Sequence, residues 1–200
     1  TTTRPSAPTQ PEPPKPRVMD NQSVGLPNRG SISNATDFYE YSQAPGARFK
    51  MLVPSRKKYY GSFNLLRVVN DYAKYVQTLI PDYLTAIKDV SKKNGGKFGH
   101  KSHQNGLDAD IRYITKSDSP HLINVVHSGK VTEDFQVAPQ WQAFKHLVST
   151  NNVVMIYVDK VVRAALCEHF KSLPDAKVPE KVEEAKRVFK YLDPNSGGHH

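Results

Sequence analysis
The segment GHKSHQNGLDADI, residues 99–111, gathers two histidines, two aspartates and two glycines into thirteen positions. Its second half alternates. Leu107, Ala109, Ile111 and Tyr113 fall on one side of an extended chain, and Asp108, Asp110 and Arg112 on the other. A strand of this kind buries its apolar face and holds Asp-x-Asp rigidly on the opposite one. Asn105-Gly106 stands between His103 and the aspartates, and an Asn-Gly pair lets the backbone turn sharply.

If the chain folds back there, the His103 imidazole and a carboxylate face one another across adjacent segments. Nitrogen and oxygen donors so placed suit divalent zinc. His103 and Asp110 are the candidate ligands. A catalytic site would add a third protein ligand and an open position for water, whose pKa the ion lowers to about 7. From spacing alone a plainer alternative stays open: a solvated strand face, with His103 capping a loop.

Working outward, Leu65, Leu66, Val68, Val69, Tyr72, Ala73, Val76, Leu79 and Ile80 recur at helical spacing. Ser62 is the expected N-cap and Pro81 the stop. Residues 83–90 (YLTAIKDV) read as a strand, followed by the glycine loop KKNGGKFGH. PQWQAFKHLVS places Trp141, Phe144, Leu147 and Val148 on one side of a helix. VVMIYVD, residues 153–159, reads as a buried strand, and helices are expected at 160–172 and 180–191. Residues 21–61 are rich in Gly, Pro, Asn and Ser, suggesting loops around a short strand or two such as FKMLV. The expected class is α+β: a small antiparallel sheet flanked by helices, with the metal site at the sheet.

Six prolines among residues 1–16 leave little to bury, so residues 1–20 read as a disordered proline-rich tail and 21–200 as one domain. The net charge of +9 attracts polyanions, among them the acidic polymers of a bacterial envelope. No aromatic RNA-binding motif, zinc-finger spacing or long basic helix points to nucleic acid. No apolar run reaches membrane-spanning length. The single cysteine, Cys167, has no internal disulfide partner and reads as a small buried residue. Ser55-Arg56-Lys57-Lys58 formally matches Ser-x-x-Lys, but no Lys-Thr-Gly accompanies it and chance explains it. His121, His127, His146 and His169 are scattered without ligand-like spacing.

The longer stretch DVSKKNGGKFGHKSHQNGLDADI resembles the penicillin-insensitive murein endopeptidases, zinc peptidases whose motif runs Gly-His-x-Ser-His-x-x-Gly-x-Asp-x-Asp. Those positions are Gly99, His100, Ser102, His103, Gly106, Asp108 and Asp110 here. SVGLPNRGSISNA looks like the family's N-terminal segment, so the resemblance covers the chain from about residue 23 onward. It implies the fold of the lysostaphin and D-Ala-D-Ala metallopeptidase group, and cleavage of D-alanyl–diaminopimelyl cross-links in peptidoglycan. It implies a periplasmic or secreted location in a bacterial envelope. By position His103 and Asp110 would bind zinc, with His100 and Asp108 supporting. Two other readings are a non-catalytic peptidoglycan-binding module on this fold and a zinc D,D-carboxypeptidase.

The family draws its third ligand from a later His-x-His, whereas this sequence ends PNSGGHH. His199 and His200 are therefore the candidate catalytic histidines. They open a natural second motif continuing beyond residue 200, begin an affinity tag, or close the site in a divergent way. The first is the expectation adopted.

Overall fold
A computed structural model describes residues 22–97, 99, 102–116 and 124–194. The proline-rich segment 1–20 lies outside them. Along the chain run β1 (Gln22–Leu26), β2 (Arg29–Ser33), β3 (Thr36–Asp37), α1 (Phe38–Ser42), β4 (Phe49–Met51), β5 (Tyr60–Gly61), α2 (Phe63–Leu79) and β6 (Thr85–Ile87). Then follow β7 (Val126–His127), β8 (Lys130–Val131), α3 (Val137–Ser149), β9 (Ile156–Tyr157), α4 (Lys160–Ser172), α5 (Pro179–Tyr191) and β10 (Leu192–Asp193).

The longest helix, α2, organises the interior. Ser62 caps it, its hydroxyl accepting the Leu65 N–H at 3.1 Å. Pro81 disfavours helical backbone at the residue before it, and Ile80 is accordingly extended at φ −136°. Leu66, Val69, Tyr72, Ala73 and Val76 are buried, a stripe wide enough to serve two cores. Leu66, Val69 and Ala73 pack with Phe38, Phe49, Met51, Ile87 and Val90. Tyr72 and Val76 pack with Tyr83, Ile114, Ala143 and Leu147. Each such side chain contributes roughly 1.5–3 kcal/mol when fully buried.

A third cluster joins α3, α4 and α5 through Trp141, Phe144, Val162, Leu166 and Val188. Trp141 stacks on Phe189 with ring centroids 5.3 Å apart. The expected helices at 62–80, 160–172 and 180–191, and the one through Trp141, all form within a residue or two of their expected ends. No helix among the described residues is long and apolar enough to cross a membrane.

The α+β class holds, but the single antiparallel sheet does not. Among the described residues the strands form five two-stranded pairs, and two of them, β4 with β6 and β9 with β10, are parallel. Strands of two to five residues are too short to present a continuous apolar face, so the helices supply it. The strand expected over 83–90 shortens to Thr85–Ile87. The buried strand expected over 153–159 is corrected more strongly. Only Ile156 and Tyr157 pair, Val154 is 90% exposed, and Val158 alone enters the core at 1%. A continuous apolar run carries no period to say which residues face inward. Cys167 lies on α4, half-buried instead of enclosed.

The segment after the aspartates is tied to the helices by buried polar groups. Gln140, 1% exposed, accepts the Ile114 N–H at 2.8 Å and donates to the Tyr72 hydroxyl at 3.1 Å. The Tyr83 hydroxyl accepts the Thr115 N–H at 3.2 Å. Gln140→Ala would strand the Ile114 N–H and the Tyr72 hydroxyl in the interior. It should lower stability by about 2–4 kcal/mol, read as a fall in the urea midpoint at unchanged slope. A change under about 0.5 kcal/mol would mean that the network carries no weight.

Candidate functional site
His103 sits at the centre of the site, 5% exposed, with its backbone in the left-handed region at φ +67°. Its ring is held from both sides. Nδ1 lies 3.0 Å from Asp108 Oδ2, and Nε2 lies 3.1 Å from Asp110 Oδ1. The His103 N–H donates to Asp108 Oδ2 as well, at 3.1 Å. Imidazole and carboxylates thus face one another across the Asn105-Gly106 turn, as the sequence suggested.

The turn is built from four contacts. Asn105, fully buried, donates from Nδ2 to the Gly25 carbonyl at 3.0 Å and accepts the Leu107 N–H on Oδ1 at 3.3 Å. The Gln104 N–H donates to the Pro27 carbonyl, and the Gln104 carbonyl accepts the Gly96 N–H, at 2.8 and 2.9 Å. Gly106 has φ +67°, and a Cβ there would stand 2.7 Å from Ile32 Cδ1. Its carbonyl accepts the N–H of Ser62, the cap of α2, at 2.8 Å. The β1–β2 hairpin therefore clamps the histidine-bearing loop from one side and the start of α2 from another.

Asp110 is pinned at its backbone. Its N–H donates to the Asp89 carbonyl and its carbonyl accepts the Lys88 N–H, both at 2.8 Å. With the Arg112 N–H donating to the Ala86 carbonyl at 2.9 Å around the Ile87–Ile111 bridge, a short antiparallel pairing replaces the strand expected over 107–113. At its start the Leu107 N–H is taken by the Asn105 side chain, and just past its end the Ile114 N–H is taken by the Gln140 side chain, so neither amide extends the ladder. Leu107 is 48% exposed, against the apolar face expected of it, while Ile111 packs into the interior.

Electrostatics follow from burial. Burial pulls the His103 imidazole down, but the hydrogen bond and charge of Asp110, with those of Asp108, outweigh it and hold its pKa above the usual 6.5. Burial raises Asp108, and the contacts with His103 and Ser102 offset that only in part. Asp108 Oδ1 is buried without a hydrogen-bond partner among the described residues. Close by, Asp89 is fully buried with Arg56 Nη1 3.0 Å from Oδ2. Arg56 belongs to the discounted Ser-x-x-Lys match, whose real place is a short turn over Pro54–Arg56.

The two carboxylates lie on opposite sides of one ring, so they do not converge. Among the described residues no three His, Cys, Asp or Glu side chains form a group able to hold a metal ion. The pair His103 Nε2 and Asp110 Oδ1 could hold a cation between them as two of its donors. His100, His199 and His200, the other residues expected at the site, lie outside the described residues, as does His121. His146 is elsewhere, 2.9 Å from Asp71 Oδ2 and stacked on Tyr75, and His127 is exposed on β7. The clamp by Gly25 and Pro27 was not expected; its one sequence signal is Pro27-Asn28 between glycine-bearing runs, a two-residue hairpin connection.

A family model described as penicillin-insensitive murein endopeptidase matches residues 23–184, from the hairpin into the first half of α5. The chain belongs to the penicillin-insensitive murein endopeptidase family. A curated relative of that name from Haemophilus influenzae (strain ATCC 51907 / DSM 11121 / KW20 / Rd) is 26% identical over 153 residues. The alignment covers 70% of this chain and 53% of the relative, so the chain spans about half of that relative's length. Both the hairpin and the GHKSHQNGLDADI loop fall inside the family match.

Asn105→Ala removes one of the ties between the hairpin and the loop, the bond to the Gly25 carbonyl, together with the acceptor of the Leu107 N–H. It should destabilise the protein by about 1–3 kcal/mol and speed hydrogen exchange at Leu107. Unchanged exchange at that amide would show that the Asn105 side chain does not hold the turn.

Proposed function
We propose that this chain is the ligand-bearing part of a zinc-dependent peptidoglycan endopeptidase that cleaves D-alanyl–diaminopimelyl cross-links in the bacterial envelope, periplasmic or secreted. The observation that carries this reading is the division of labour around His103, with one carboxylate on each ring nitrogen. The donors fit the ion. Two ligands about 2.0–2.1 Å from a tetrahedral zinc stand roughly 3.3 Å apart, and His103 Nε2 and Asp110 Oδ1 are 3.1 Å apart. The third ligand is the C-terminal histidine that the family resemblance implies.

When bound, zinc polarises the scissile carbonyl and lowers the pKa of a water to about 7. The chain's own residues prepare that chemistry. Asp108 accepts the Nδ1 proton of His103, and when a cation displaces the Nε2 proton this contact would fix the tautomer whose Nε2 lone pair lies on the Asp110 side. Burial of the ring excludes competing water from this hydrogen bond. The Asp89 carbonyl and Lys88 N–H hold the Asp110 backbone, so its carboxylate needs no reorganisation. Proton transfer to the leaving amine falls to a neighbouring histidine, for which His199 and His200 are the candidates. No serine nucleophile takes part, so β-lactams should not acylate the protein.

The test is digestion of cross-linked muropeptides with and without a chelator. Cleavage should stop on metal removal, return with zinc, ignore penicillin, and disappear in Asp110→Ala. Cleavage that survives complete metal removal yet is blocked by penicillin sinks the zinc reading. Wall binding without cleavage in the presence of zinc would favour the non-catalytic module, and release of terminal D-alanine alone the carboxypeptidase. Asp108→Asn should weaken zinc binding about 10–100-fold, measured by competition with a chromophoric chelator, while leaving the fold intact. Equal affinity in this variant would remove Asp108 from any orienting role.

A further inference from the structure
A second site lies away from the imidazole, between the loop after α1 and the first half of α2. It is a groove of about 150 Å³ with Phe49, Phe63 and Leu66 among its lining residues. Tyr41, Arg48, Arg67 and Asn70 line it too, and no acidic residue does. Among the described residues neither guanidinium has a carboxylate within ion-pair distance, and the Tyr41 hydroxyl and Asn70 amide make no side-chain hydrogen bond. Arg48 is half-buried, so its charge is partly withdrawn from water with nothing opposite it. Burial, and then Glu40, raises the Tyr41 pKa, so the hydroxyl remains a donor at neutral pH.

We infer that this groove binds the free carboxylate end of a peptide whose last residue is small and apolar. A guanidinium presents paired N–H groups that match a carboxylate, and two arginines with two further donors on one rim supply charge complementarity for it. The aromatic and leucine side chains receive an apolar body. A volume near 150 Å³ takes a body about the size of benzene, which suits an alanine-sized residue. The groove adjoins the histidine loop: Phe63 follows Ser62, whose N–H donates to the Gly106 carbonyl at 2.8 Å, and Phe49, Phe63 and Leu66 share a core cluster with Ala109 and Ile111. The inference does not depend on endopeptidase activity.

The experiment is an NMR titration of the full 15N-labelled chain with acetyl-Ala-Ala, its C-terminal amide, and acetate. The acid should shift the Arg48 and Arg67 Nε–H signals saturably, and the amide should bind about tenfold more weakly or worse. Arg67→Gln, an exposed helix position, and Arg48→Gln should each weaken the acid by a similar factor with amide spectra otherwise retained. Asp110→Ala should bind it unchanged. The inference is overturned if the amide binds as tightly as the acid, or if acetate binds as tightly as the peptide, which would mean a bare anion site. It is equally overturned if Asp110→Ala loses the peptide while both arginine variants keep it, which would put the peptide at His103.

Discussion
One buried imidazole, gripped at both nitrogens, sets the terms for the rest of the site. His103 is 5% exposed and its backbone is left-handed, a conformation that disfavours a side chain with a Cβ. Such a residue persists only where its surroundings over-determine it. Here they do so through the hairpin carbonyls of Gly25 and Pro27, the Gly96 N–H, and the cap of α2 at Ser62. Relaxing any of these would let the ring leave the position where Asp108 and Asp110 can each reach a different nitrogen.

That arrangement separates two roles that sequence spacing leaves equivalent. Asp108 and Asp110 are both carboxylates in an Asp-x-Asp pair, each with a side chain 27% exposed. Their difference is one of direction. Asp108 returns to the Nδ1 side and to the His103 N–H, as an orienting group does, while Asp110 faces Nε2 from a backbone locked onto Lys88 and Asp89.

The helices explain why so little sheet suffices. α2 serves two cores at once, and Gln140 on α3 reaches the segment just beyond Asp110. The site thus rests on a helical frame, with β6 as a three-residue rail against which Asp110 is aligned.

The sequence by itself determined the helices, because their apolar residues repeat at the helical period, and Ser62 and Pro81 mark the ends of the longest. It also allowed His103 and Asp110 to meet, since Asn105-Gly106 permits a turn, but left a solvated strand face open. Only the tertiary structure decided which nitrogen each aspartate faces, how short the strands are, and that residues 25–32 grip a loop some eighty positions later. Such facts depend on contacts between distant segments, which leave no period in the chain. The exposed Val154 and Leu107 make the same point: an apolar residue states a preference for burial, and the neighbours that fold against it, or fail to, decide whether it is met.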